Sequence, residues 1–297
     1  MSAVGGVAAH VIAGPREEPF LGALLETLVG AADALIVNDN STGDSPHEKT
    51  LANSWFARNG RLLVDRTPFT DFSNARNACL RVHRANNAGD WAVFVDCDEV
   101  HGEPVRRIAR NLGAVPCGID FVDGYTWHFF QSFRWYTSIE RRMAFFRVRS
   151  EAKWEGPVHE HLTGLSGGRL ALPYVYAHYG HVMSARQHAE KGRQYSSLGQ
   201  KGAIVESAAL DRIDVREYFS AIWPTVLRFT GEHPSAARQM IQTLARERRK
   251  QFALTDEIVA EVQPAAIRAR NFFMKLNYEQ RWRSRALDPL ARRLLSA

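Results

Sequence analysis

The apolar run Trp91-Ala92-Val93-Phe94-Val95 stops on three acids, Asp96, Asp98 and Glu99, with Cys97 set between the first two. Five apolar residues in a row, four of them β-favouring, read as a buried strand. Acids at the end of such a strand are costly to bury without a partner. Two carboxylates two residues apart on a turning backbone can share one divalent cation, and that cation can hold a diphosphate. The run therefore predicts a metal-bridged nucleotide-phosphate site at the carboxyl edge of a sheet, where open α/β sheets bind ligands.

The elements around this run support an α/β chain. Residues 7–13 read as a first strand, followed by a turn from Pro15 to Pro19 that carries Arg16, Glu17 and Glu18. Phe20, Leu24 and Leu28 have helical spacing. Ala34–Val37 reads as a second strand, and Asn38–Asp44 after it is turn chemistry. Arg61–Val64 is a short third strand, and Asp71–Arg84 a helix with Asp71 or Ser73 as its cap. This β-α-β order implies parallel strands joined by crossover helices. Beyond residue 118, Phe121–Phe130 and Met143–Val148 are aromatic, strand-like and expected to form a second face. Leu172–Tyr179 is another apolar run, and the chain is helical from Ser184 onward, with Pro224, Pro234, Pro264 and Pro289 separating helices. The expected division is 1–183 for the catalytic domain and 184–297 for a helical C-terminal extension that packs on it.

Composition limits the partners. With 45% hydrophobic and 24% charged residues the chain is ordinary for a globular protein. No apolar run reaches membrane-spanning length, and no signal peptide is read at the N-terminus. Cys79, Cys97 and Cys117 lack metal-binding spacing, which fits reduced thiols and a cytoplasmic protein. The net charge of +6 lies mostly late in the chain. Such a tail suits an anionic partner or a solvated helix face, and without base-stacking or zinc-finger signatures nucleic acid is not expected. In Arg281–Leu295 basic and apolar residues interleave, as in interfacial helices; a packed terminal helix is the competing reading.

Several residues carry candidate chemistry. Asp39, after the second strand, suits a ribose or base contact, or an Asx turn. Gly14-Pro15-Arg16-Glu17-Glu18 is not a glycine-rich phosphate loop, which argues against P-loop and dinucleotide-binding enzymes. Asn74 and Arg76 lie just inside the helix before the acidic strand, where a guanidinium pairs with the Asp96 cluster or with a phosphate. Cys97 has no base nearby and reads as inert. In Trp154-Glu155-Gly156-Pro157-Val158-His159-Glu160-His161, His159 can join Asp98 on a cation and Glu160 can act as general base. Asp123 is the rival base. His178 or His181 is a further ligand candidate, and Tyr125, Trp127 and His128 are candidates for an acceptor wall.

Val-Asn-Asp39-Asn-Ser-Thr-Gly-Asp, Asp71-Phe-Ser-Asn-Ala-Arg-Asn and Asp90-Trp-Ala-Val-Phe-Val-Asp-Cys-Asp-Glu together resemble glycosyltransferase family 2, in order and spacing, over residues 7 to 103. The resemblance implies a GT-A fold, a Rossmann-like and mostly parallel sheet with flanking helices. Residues 1–103 would form the nucleotide-sugar half and 104–183 the acceptor and metal half. It implies a nucleotide-diphospho-sugar donor, most often a UDP-sugar, and Mn²⁺ or Mg²⁺ as cofactor. Asp39 would contact the nucleoside, Arg76 would lie beside the donor, Asp96 would face ribose or sugar, and Asp98 would hold the metal with His159 and His181. Ala13, Pro15, Arg16, Glu18, Asn74 and Cys97 complete the implied donor site. Asn38 departs from the pattern, since many relatives carry two acids there. The Val-His-Glu element resembles a subset that includes cell-envelope sugar transferases, and Lys191 and Arg193 follow His178-Tyr179 as in relatives.

The function expected is metal-dependent, inverting transfer of a sugar to an acceptor hydroxyl of a small molecule, nucleoside or lipid-linked acceptor, with peripheral membrane contact and homodimerisation as further expectations. The alternatives are a nucleotide-sugar hydrolase or nucleotidyltransferase, and a non-catalytic nucleotide-sugar-binding protein.

Overall fold

The computed structural model describes residues 6–200, 210 and 212–296. The outer ends of the two expected units, 1–5 and 297, and 201–209 and 211 within the helical extension lie outside the described residues.

Four parallel strands carry the first half: β1 (Val7–Ala13), β2 (Ala34–Asp39), β3 (Leu62–Asp65) and β4 (Trp91–Asp96), laid side by side as β3-β2-β1-β4. β1 is buried along nearly its whole length, as expected of a central parallel strand covered on both faces. The connections are α1 (Leu21–Leu28), the short α2 (Glu48–Ala52) and α3 (Trp55–Arg58), and α4 (Phe72–Ala85). Asp71 caps α4 by accepting the Asn74 amide at 2.8 Å, and Ser73 donates its hydroxyl to the same carboxylate at 2.7 Å. After the acidic turn come β5 (Glu99–Val100) and α5 (Pro104–Asn111).

The expected second face is not separate. β6 (Ile119–Phe130), β7 (Trp135–Arg147) and β10 (Gly168–His181) extend the same sheet, β7 pairing antiparallel with both β4 and β6, and β10 parallel with β6. Their aromatic, non-alternating sequences follow from burial on both faces: Val122 and Phe145 belong to the main core, Phe121 and Phe146 to a cluster around Trp154. Only β7 and β5 run against the other strands, so the sheet is mostly parallel. β8 (Lys153–Glu155) and β9 (His161–Thr163) form a hairpin apart from it.

The remaining elements are α6 (Ala185–Ser197), α7 (Val215–Tyr218), β11 (Leu227–Arg228), α8 (Arg238–Glu247), α9 (Arg249–Val262), α10 (Ala265–Arg283) and α11 (Pro289–Leu295). They pack back onto the sheet. Ala291 and Leu294 of α11 enter the main core, and Asn111 donates to the Leu294 and Ser296 carbonyls at 3.2 and 3.1 Å. Met274, Tyr278 and Trp282 of α10 pack against the cluster holding Tyr125, Phe129 and Tyr179. Within Arg281–Leu295, Trp282, Leu290, Ala291, Leu294 and Leu295 thus pack against the core. Among the described residues no helix is long and apolar enough to cross a membrane.

Three buried histidines and the half-buried His233 make the fold acid-sensitive. His83 donates to the Gly89 carbonyl at 2.8 Å, which leaves its other nitrogen to accept from His10 at 2.8 Å. His233 donates to the Phe133 carbonyl at 3.1 Å and accepts from Tyr179 at 2.9 Å. Burial pushes His10 and His83 below the ordinary 6.5, His101 to about 3 and His233 to about 4. The unfolded chain then takes up protons first, so stability is full above pH ~6.5 and falls as pH drops toward ~4. Between its unfolded and its folded pKa each such histidine contributes at most about 1.4 kcal/mol per pH unit. Thermal melts between pH 7 and 4 should show a steadily falling midpoint; a flat profile would contradict the burial of these rings as neutral species.

Candidate active site

A cleft of about 1150 Å³ opens at the carboxyl ends of β1 and β4. Its floor is the acidic turn, its walls the 14–20 loop, the β8–β9 loop, the end of β10 and one face of α6. β4 delivers the acids there because its five apolar residues are locked between β1 and β7.

Arginines organise the floor. The Arg76 guanidinium lies 4.1 Å over the Phe94 ring, binds Glu160 at 3.1 Å through Nε and contacts Asp96 through its terminal nitrogen. Arg142 on β7 reaches Asp96 at 3.3 Å and Glu99 at 2.8 Å. Burial would raise the Asp96 carboxyl, but Arg76 and Arg142 overcome it and hold it near about 2. Glu99 is buried more deeply, and its carboxyl is pushed up to about 7 against the pull of Arg142. Glu18, opposite in the 14–20 loop, rises to about 8 through burial and the nearby Asp98 charge.

Asp98 faces a different set. His178 Nε2 stands 3.3 Å from its Oδ1. Burial opposes its ionisation, yet His178 and Lys191 hold the carboxyl well below the usual carboxylate range. Lys191, on α6, is correspondingly raised despite its burial, chiefly by Asp98. Gly180 is required here: a Cβ at that position would sit 2.7 Å from His178 Nε2 and collide with the Asp98 carboxylate.

Three histidines gather beside Asp98. His128 and His178 are register partners on β6 and β10, with their Nδ1 atoms 3.0 Å apart. His178 and His181 would fall on opposite faces of a regular strand, but the pairing of β10 with β6 shifts register between them, and their rings lie 5.5 Å apart. One nitrogen of each of the three lies within 4.8 Å of those of the others. Burial, and then the other histidines, push His181 well below 6.5 and His128 down to about 2, so both rings are neutral and able to ligate.

These residues fit a divalent cation. His181 Nδ1 is a buried polar atom without a hydrogen-bond partner among the described residues, and Asp98 Oδ1 has only His178 Nε2 beside it, at 3.3 Å, a condition an ion would relieve. The cluster differs from the set expected from sequence. Asp98 and His181 both line the cleft, but the histidine beside Asp98 is His178 and not the expected His159. His159 lines the same cleft from the β8–β9 loop, with a left-handed backbone (φ 55°), outside the histidine cluster.

Of the other expected residues, Pro15, Arg16, Glu18, Arg76, Asp96, Cys97, His128 and Glu160 line the cleft with Asp98. Cys97 donates its thiol to the Ile12 carbonyl at 3.0 Å, and burial raises it well above 9.0, as an inert thiol requires. Ala13, Asp39 and Asn74 do not line it. Asp39 is buried just behind, paired to Arg66 at 3.1 Å and accepting the Ser41 amide at 3.2 Å, so that Asn40 and Thr42 reach the cleft instead. Asn74 gives its backbone amide to Asp71, and its Oδ1 is buried without a hydrogen-bond partner among the described residues; Asn77, one turn on, clamps the Trp154 backbone at 2.9 and 3.0 Å.

Asp123, the rival base, is also set apart. It is buried and paired to Arg141 and Arg169, each at 2.7 Å, and is not among the lining residues. Trp127 packs on Phe229 at 5.1 Å, and Tyr125 lies in the core beneath α10, donating to the Arg281 carbonyl at 3.4 Å. Their faces of β6 turn away from the cleft, toward the C-terminal helices, and only His128 of the expected acceptor wall reaches it. Sequence reasoning missed Arg142 and Arg169, which line the cleft from β7 and β10 without any motif to mark them.

No family model matches the chain. No curated protein matches it either. Among solved structures, a mycobacterial protein shares 18% identity over 41% of each chain, with a TM-score of 0.28. The crystal structure of S. aureus TarS 1-349 is 12% identical over 96% of this chain and 89% of that one, with a TM-score of 0.36. Neither likeness is deep enough to assign a family.

Proposed function

We propose that the chain is a metal-dependent glycosyltransferase with a GT-A-like sheet, moving a sugar from a nucleotide-diphospho-sugar, a UDP-sugar favoured, to an acceptor hydroxyl with inversion. One observation carries the reading: Asp98 stands at the carboxyl mouth of the parallel strands, on the floor of a cleft large enough for a nucleotide-sugar, with His178 at 3.3 Å and the charged Lys191 on the opposite wall.

Asp98, His178 and His181 would hold the cation, and an imidazole-containing set suits Mn²⁺ better than Mg²⁺. When bound, it neutralises charge on the leaving diphosphate. Lys191 and Arg16 line the cleft and supply further positive charge to the phosphates. Asn40, whose amide donates to the Ala13 carbonyl at 3.0 Å, and Thr42 line the cleft and would face the nucleoside. Arg76 fixes Asp96 and Glu160 at once, so the ribose-facing acid and the base share one brace. Glu160 takes the proton of the acceptor hydroxyl, while Asp98 stays ionised; the two tasks fall to two carboxylates.

Replacing Glu160 with glutamine keeps an oxygen for Arg76 and removes the base. Turnover of a UDP-sugar should fall by ~10²–10⁴-fold, while nucleotide-induced stabilisation stays at the wild-type level. A near-normal rate would overturn the assignment of Glu160, and loss of nucleotide binding would place it in the donor site instead.

A further inference from the structure

The helix α10 turns two unlike faces to its surroundings. Asn271, Met274, Tyr278 and Trp282, at i, i+3, i+7 and i+11, pack inward. The opposite face carries Ala269, Phe272, Phe273 and Leu276. Phe272 is 56% exposed, Phe273 68% and Leu276 44%, the largest aromatic exposure among the described residues. The two phenyl rings touch edge to face at 5.9 Å. An exposed apolar stripe on a helix anchored by its other side is an interaction surface, not a folding defect.

Charge identifies the occupant. Residues 265–296 hold eight basic side chains and two acids, so their balance equals the +6 of the entire chain. Arg268, Arg281, Arg283 and Arg285 are all exposed. On the helical wheel Arg283 continues the line of the stripe beyond Leu276, Arg268 flanks it on one side, and Arg270 and Arg281 lie on the other. Phenylalanine and leucine along a line, with long cationic side chains on both flanks, is the arrangement that settles into the headgroup region of an anionic bilayer, arginines reaching phosphates while the rings enter the acyl boundary. A second copy of the chain is disfavoured, because an isologous contact would set these arginines against each other.

We infer that α10 docks the protein, lying flat, on an anionic lipid surface through Phe272, Phe273 and Leu276 and the arginines beside them. The inference is independent of the chemistry in the cleft.

Vesicle flotation of the full chain tests it, with phosphatidylcholine alone and with phosphatidylglycerol added. The protein should float with the anionic vesicles at low salt, bind them at least tenfold more weakly in high salt, and stay in solution with phosphatidylcholine alone. Phe272→Ser together with Phe273→Ser should weaken anionic binding by ~tenfold or more without changing the far-ultraviolet spectrum or the melting temperature by more than a degree or two, since both side chains are exposed. Failure to float with anionic vesicles would overturn the inference, as would flotation untouched by the double substitution. A dimer in solution that the same substitution dissolves, without lipid binding, would reassign the stripe to self-association.

Discussion

Asp98→Asn should abolish cation-dependent nucleotide binding and lower sugar transfer by ~10³-fold or more, on the several kcal/mol that a cation contributes to a leaving diphosphate. The side chain keeps its shape, so Gly180 and His178 keep their contacts. What is lost is the negative charge beside three imidazoles, two of them held neutral by burial. The fold should survive. Asp98 adds to the burial that drives Glu18 up to about 8, and removing its charge relieves that part. Against that, Lys191 and His178 lose the carboxylate that pairs them, so the melting temperature without cation should fall by a few degrees while the chain still folds. Retention of a Mn²⁺-dependent nucleotide shift in this variant would remove Asp98 from the metal site.

The second large effect is on stability. Arg76→Leu leaves Asp96 and Glu160 without their shared counter-ion in a buried place, where Arg76 itself is 3% exposed. Breaking a buried ion pair from one side costs about 3–5 kcal/mol, or a drop of roughly 10 °C in melting temperature for a chain of this size. Arg142 still faces Asp96 at 3.3 Å, so the loss falls mostly on Glu160. Arg76→Lys should land between, keeping charge over Phe94 but losing the fork that reaches two carboxylates. Denaturant titration measures both; a loss below about 1 kcal/mol for Arg76→Leu would show that the brace is dispensable.

Much of the first half was legible in the residues. Trp91–Val95 and Val7–Ala13 are apolar runs that only a doubly covered strand accommodates, and Asp71 three residues before Asn74 is a cap with a stated geometry. The acidic turn follows from the same logic. The second half was not legible, for physical reasons. Long strands buried on both faces lose the alternation that tells inside from outside, so Tyr125 and Trp127 gave no sign that they face α10 and not the cleft. The histidine cluster depends on a register between β6 and β10, and on an irregularity within β10, that no local sequence signal encodes. Asp123 looked like a base because its partners Arg141 and Arg169 are remote in sequence and supplied only by strand pairing. The β8–β9 hairpin has three-residue strands, too short for a periodic signal, yet it carries Glu160 to Arg76.

The central claim is a cation-bridged nucleotide site at Asp98, and the most direct measurement is a thermal-shift series of the full chain with UDP, GDP, CMP and dTDP, each with Mn²⁺ and with EDTA. One nucleotide, UDP first, should raise the melting temperature in Mn²⁺, with the rise vanishing in EDTA and weaker with Mg²⁺. Melting curves that no nucleotide moves in either condition would contradict a nucleotide-sugar site in this cleft.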